Sequence, residues 1–410
     1  MDEIDALRQM RPALAQEENP DRLALRTNWR SAPAPRSRAR RRLAVPLLGV
    51  AAAGTVAAGS VAVLSGHSDP RPPGRSIPLR TGGDGNVLLA AATSAEKAAP
   101  SREYWHTRRI DGTIFAVGRT RAAHYKIESR QQYDSWIGRD GKELRNYTDL
   151  PARPWTAQDK AKWQRAGSPM TVNVPSGEPG VMGTLFLNTK SPVGAPHPRP
   201  MKGDEVRRFY GMTSAQIAKL PAEPKALEKT LLGLRGNWHA YSSTAGKEPL
   251  GALRGEERVR ALSDVAGDLL ADAPTPPKVR AAAFRMLATL PGVQAGGRTT
   301  DPLGRTGTVI SLPVETTVPL GIYTAPKQLG TYQRQWIIDP GTGTLLAMRD
   351  VVATPPHGSR RLPPGDDGRP RALRVQDMPD RFHRPGEVSS YEVYAVAEWT
   401  NSRSDAPAPR

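Results

Sequence analysis

The chain has 410 residues, with 58 Lys and Arg against 40 Asp and Glu, a net charge of +18 and no cysteine. Without cysteine there is no disulfide framework, thiolate metal site, cysteine nucleophile or lipid-modified cysteine anchor. The basic excess is spread along the chain with no nucleic-acid-binding pattern, so no nucleic-acid partner is predicted; attraction to anionic lipid or polymer at a cell surface fits better.

The first element is an arm, residues 1–42. It opens with MDEIDALRQMRPAL, in which Ile4, Leu7, Met10 and Leu14 fall along one side at 100° per residue. Asp2 and Glu3 suit the positive N-terminal end of a helix. So short a helix is marginal alone in water, so the four apolar residues are candidate contacts for a cytoplasmic regulatory protein or for lipid. A tail that only sets membrane topology is the other reading. SAPAPRSRARRR follows as an extended Pro/Arg linker.

Residues 43–64 carry no charge: nine are Leu or Val, seven Ala and three Gly, with Pro46, Thr55 and Ser60. As a helix this run spans about 30 Å, the thickness of a bilayer's hydrocarbon core. It is read as one transmembrane helix that stays in the membrane. The rival is a cleaved export signal, whose apolar region is usually about 7–15 residues behind a short leader. Here the run is longer and 42 residues precede it. Arg36, Arg38, Arg40, Arg41 and Arg42 stand directly before the run. The positive-inside rule therefore puts the N-terminus in the cytoplasm and the C-terminal part outside the cell membrane.

Residues 65–85 are a Gly/Pro-rich linker, and 86–402 form the exported domain. Helix patterns occupy 86–98, TSAQIAKLP with Thr213 or Ser214 as cap, 223–234, 253–272 and 276–293. In the fourth, Val259, Leu262, Val265, Ala266, Leu269 and Leu270 share a face. Strand patterns occupy REYWHTRRI and the segment from His124 to Thr148, with a hairpin turn at Arg139–Lys142. Residues 150–205 read as loop with short strands. YQRQWIIDPGTGTLLAMRDVV is the clearest hairpin: Tyr332, Arg334, Trp336 and Ile338 share a face, Asp339–Thr344 turns, and Gly341 or Gly343 takes a positive φ. SSYEVYAVAEWT closes the domain as a strand with Tyr391, Val393, Ala395, Ala397 and Trp399 on one side. Segregated helices and hairpins predict an α+β fold with an antiparallel sheet.

Catalytic and metal signatures are missing. The seven histidines (His67, His106, His124, His197, His239, His357, His383) show no metal-ligand spacing, and there is no HExxH, Walker A, GxGxxG or GxSxG. GHSD at 66–69 places its residues side by side, where they cannot converge as a triad. Asp339 and Asp140 read as turn formers. Trp105, Trp136, Trp336 and Trp399 read as core rather than as a ligand platform. No enzyme activity, cofactor or metal is predicted.

The order of LLAAATSAEKA, YWHTRR, LPGV…DPLGRTGTVI and WIIDPGTGTLLA, behind a Leu/Arg arm and one span, resembles an uncharacterised actinobacterial family of single-pass membrane proteins. Their genes lie beside those of extracytoplasmic-function sigma factors. The resemblance covers nearly the whole chain, but its motifs are turns and helix ends, and it brings no catalytic residues. It implies a regulator with an extracytoplasmic sensor or binding domain. The exported part is also similar, in architecture alone, to the LolA-like curved sheet with packed helices in its concavity. That implies the alternative, a cell-envelope module binding an apolar or lipid-like ligand.

Overall fold

The computed structural model describes residues 84–99, 101–177, 179–187, 193–200, 206–236, 238, 247–315, 329–362 and 370–403. The arm, the apolar run 43–64 and nearly all of the linker lie outside these residues. Among the described residues no helix is long and apolar enough to cross a membrane.

The fold is α+β, built on one large curved antiparallel sheet. Helix α1, Asp84–Glu96, leads into strands β1 Tyr104–Val117, β2 Tyr125–Gly138 and β3 Glu143–Pro154. Helix α2, Ala157–Arg165, and the ribbon β4 Thr171–Pro175 with β5 Met182–Phe186 come next, then β6, Val193–Pro200. Three helices follow the short turn helix α3 at Ser214–Ile217: α4 Pro224–Leu232, α5 Gly255–Leu270 and α6 Pro277–Leu287. Strands β7 Gln294–Thr300, β8 Thr306–Glu315, β9 Thr331–Asp339, β10 Thr344–Thr354 and β11 Val388–Thr400 complete the chain. The nine strands lie in the order β7-β8-β9-β10-β11-β1-β2-β3-β6. The sheet is thus two meanders joined at one seam, where β1 pairs with β11.

Local chemistry accounts for the helix ends. Thr213 and Gln216 form a reciprocal capping box at α3, Glu223 caps α4 and accepts from the Ala226 N–H, and Thr156 caps α2. Pro224 and Pro277 occupy first-turn positions, where a missing N–H costs nothing. Helix α6 ends at Leu287, short of the Pro-Gly pair at 291–292. Helix α2 was not legible as such: its AQDKAKWQR has no apolar stripe, and it is fixed by its cap and by Asp159, which accepts from the Lys126 N–H at 2.9 Å.

One face of the sheet carries α1, α4, α5 and α6, and the main core lies between them: Trp105, Ile137, Ile310, Trp336, Ile338 and Tyr394 from the sheet against Leu227, Leu262, Leu269 and Phe284 from the helices. The other face holds Ile110, Ile114, Ile337, Leu346, Val388, Tyr391 and Val393. The β4–β5 ribbon covers a third cluster around Val117, Tyr125 and Ile127.

Two turns are as expected. Gly141 has φ +82° between β2 and β3, and Gly343 has φ +67° between β9 and β10. Asp339 stitches the second turn, accepting from the Gly341 N–H at 2.9 Å and the Thr342 hydroxyl at 2.8 Å. Strand β11 departs from its expected pattern. Its register with β1 shifts between Arg108 and Arg109, so Tyr394 lies opposite Arg109 while Val396 lies opposite Arg108. A bulge of one residue turns later side chains to the opposite face. Tyr391 and Val393 therefore pack on the helix-free side, and Tyr394, Ala397 and Trp399 on the helix side.

Candidate functional site

Helix α5 has charged residues at four-residue spacing: Arg260, Asp264, Asp268 and Asp272 just past its end. Residues four apart stack along one side of a helix. All four are at least nine-tenths buried, because α5 is covered all round rather than on the one face expected. The charged stripe lies against the sheet. Gly267 lies within it and lets the helix settle onto Trp336 and Met348, whose atoms are 3.2–3.3 Å from where a Cβ would stand.

The sheet answers with two arginines. Arg334 on β9 places Nε 2.9 Å and Nη2 3.1 Å from the Asp350 carboxylate of β10, and its Nη1 reaches Asp264 at 3.0 Å. Arg109 on β1 pairs with Asp111 at 2.8 Å and Asp272 at 3.3 Å, with Glu392 of β11 at 3.9 Å. The Tyr394 hydroxyl donates to Asp272 at 3.0 Å. Burial first, and Asp272 next, push that phenol well above its ordinary range, so it stays a donor. The Trp105 indole donates to the Ala271 carbonyl at 3.0 Å and anchors the end of the same helix.

Beside Asp272 the stripe opens into a narrow polar cleft lined by Arg109, Tyr133, Ser135, Glu143, Arg145 and Arg207. Glu143 accepts from Ser135 at 2.6 Å and from Arg145 at 3.0 Å, with Arg207 at 3.7 Å. Guanidiniums also lie over rings: Arg109 is 5.3 Å from the Tyr133 centroid and Arg207 is 4.9 Å from that of Phe209. Asp264, Asp272, Asp350 and Glu143 thus each meet a guanidinium. Such a lattice adds little net stability, but removing one partner costs about 3–5 kcal/mol because the other is left buried. Its effect is to fix how α5 sits on the sheet.

A second buried cluster lies where the segment before β11 meets β2. Asp380 accepts from the Tyr332 hydroxyl at 2.7 Å and from Ser389 at 3.3 Å, and burial raises its carboxyl above the usual range. His383 is fully buried with no hydrogen-bond partner on either ring nitrogen. Burial pushes its pKa down to about 3, with Lys126 adding to the effect. Lys126 itself pairs with Glu387 at 2.5 Å.

No group of three or more potential metal ligands occurs among the described residues. Trp105 and Trp336 are fully buried core residues, Trp136 stacks under His106 at 4.5 Å, and Trp399 meets Trp105 edge-on at 5.5 Å. Ile4, Leu7, Met10 and Leu14 lie outside the described residues. Sequence reasoning missed the α5 stripe, and its four-residue spacing of charges was the available signal. No family model, no curated protein and no solved structure matches this chain.

Proposed function

We propose that the chain is a single-pass membrane regulator, with a cytoplasmic arm, one transmembrane helix and an extracytoplasmic sensor domain, acting on a sigma factor or similar partner. One observation carries this reading: five arginines in the seven residues 36–42 run directly into 22 uncharged residues. That order places a charged stop on one side of a bilayer-length segment and sets its direction. The α5 stripe supports the sensing half. A helix held to a sheet by opposed charges has a defined position that a ligand or partner can bias.

Two measurements test the two halves. A reporter fused after Arg410 is expected outside the cell, with the full-length mass retained in membranes; a processed form starting near residue 60 removes the anchor. Leu7→Asp with Met10→Asp is expected to abolish capture of the cytoplasmic partner while membrane insertion stays intact. Each of these side chains gains about 1.5–3 kcal/mol if fully buried by a partner. Unchanged sigma-dependent transcripts after deletion of residues 2–30 would instead favour the envelope module that binds an apolar or lipid-like ligand. The exposed apolar side chains on the β4–β5 ribbon favour that second reading.

A further inference from the structure

Five large apolar side chains stand exposed among the described residues, and three of them gather at one ribbon: Met170 at 52 %, Met182 at 56 % and Phe186 at 53 % exposure. Single exposed apolar residues are ordinary, but a contiguous set marks a contact surface. Alternation explains Met182 and Phe186, and Met170 stands exposed at the bend just before β4. Val172 and Val174 point inward to the core, while Met182, Thr184 and Phe186 alternate outward on β5. Phe186 lies opposite Thr171, next to Met170, and Thr184 is bonded to Asn173 across the ribbon at 3.0 Å. Neither strand contains a charged residue.

The surroundings are basic. Lys160 and Arg165 are exposed on α2, immediately before Met170. On the other side the ribbon's turn is tied to Asp377, which accepts from the Gly180 N–H at 3.1 Å and from the Arg374 N–H at 2.8 Å. Arg374 belongs to a second small ribbon, Ser359–Leu362 with Arg371–Arg374, on which Arg361, Arg371 and Arg374 are exposed. An uncharged apolar ribbon between cationic flanks complements an anionic lipid interface, where apolar side chains enter the headgroup boundary and cations meet phosphate.

We infer that the β4–β5 ribbon docks the folded domain onto the anionic phospholipid surface of the membrane in which residues 43–64 are anchored. The proposal rests on the anchored reading. Geometry permits it. The ribbon sits at the Val117 end of β1, whereas α1 packs by the β9–β10 turn, toward the Trp105 end. Fourteen residues of β1 separate those ends by about 45 Å. The 19 residues from 65 to 83 reach at most about 65 Å, enough to bring the far end of the domain down to the bilayer.

The absence of cysteine makes the test clean. Met182→Cys, Phe186→Cys and, as a control on the distant β7–β8 turn, Leu303→Cys are each labelled with an environment-sensitive fluorophore in the full chain. The chain is reconstituted into phosphatidylglycerol–phosphatidylcholine vesicles containing spin-labelled lipid, and into phosphatidylcholine alone. Quenching is expected at 182 and 186 in the anionic vesicles, less in phosphatidylcholine and in high salt, and none at 303. Changing Arg361, Arg371 and Arg374 to Gln should lower the ratio of lipid-docked to free domain about fivefold per arginine. Met182 and Phe186 are more than half exposed and Leu303 is 45 % exposed, so the core is untouched. Quenching at 182 and 186 no greater than at 303 overturns the proposal. So does equal quenching in phosphatidylcholine, or label-to-label energy transfer that rises with protein density, which would assign the ribbon to a second copy. Failure of the anchor reads separately, as release of the chain by alkaline carbonate. The released chain added to anionic vesicles still reports on the ribbon.

Discussion

His383 shows how one side chain can tie the fold to pH. Its ring is enclosed with neither nitrogen bonded, so the folded domain holds it neutral down to about pH 3. An unfolded chain protonates the same ring near pH 6.5. Between those values the unfolded state binds the extra proton, so stability falls as pH drops, by about 1.4 kcal/mol per pH unit from this group. His383→Leu should flatten the slope between pH 6.5 and 5, a window above the ordinary carboxylate range. Denaturant melts of both forms at several pH values measure it, and equal slopes would sink the assignment. Gly112 is constrained by space instead: a Cβ there would stand 2.2 Å from the Tyr391 ring. That ring must lie flat over β1 for its hydroxyl to reach Glu128, which is fully buried and held on its other oxygen by Arg153 at 2.5 Å.

Among the elements, the Asp339–Thr344 turn does two jobs. It reverses the chain, and it supports α1. A Cβ on Gly343 would come 2.4 Å from the Ala95 nitrogen and 2.5 Å from the Ala91 carbonyl, and the residue also has a positive φ. Both contacts are helix backbone, which cannot swing aside. Gly343→Ala should therefore cost more than the roughly 1 kcal/mol of backbone strain alone, whereas Gly341→Ala, meeting only the Asp339 carboxylate, should be close to neutral. Thermal melts of the two variants check this, and equal effects would show that α1 does not bear on the turn. The turn itself was legible, since Asp-Pro-Gly-Thr-Gly between alternating strands has one sensible fold. So were the helices with an N-terminal proline or with a cap ahead of an apolar stripe, whereas the capped α2, with no such stripe, was not. Strand β11 was legible as a strand but not in its facing, because a bulge is set by the partner strand and leaves no mark on apolar alternation. The burial of α5 was hidden for a related reason. Asp264 and Asp272 look like part of a solvent face until Arg334 and Arg109, far away in sequence, are brought against them. Polar residues in pairs can be interior, and the pairing is a tertiary fact.

At the scale of the whole molecule, the joining of β1 to β11 governs assembly. Tyr104 pairs with Thr400, so the middle of the sheet is made from residues almost 300 positions apart. The first meander, β1-β2-β3-β6, can form early from hairpins, but its β1 edge then waits with its N–H and C=O groups unmatched. An unpaired edge of that kind recruits other chains. Closing so long a loop carries an entropic cost that delays folding, and contacts of this range are the slowest to form. A chain truncated before Val388 should therefore self-associate through β1, with concentration-dependent light scattering, and the added peptide Val388–Thr400 should suppress it. Stable monomers of the truncated chain would show that some other segment shields that edge. For the intact chain the consequence is one of timing. Nothing made before β11 can complete the sheet, so the first meander must be kept from its neighbours through the whole of synthesis, and the final strand works as a keystone rather than as an ornament at the end of the sequence.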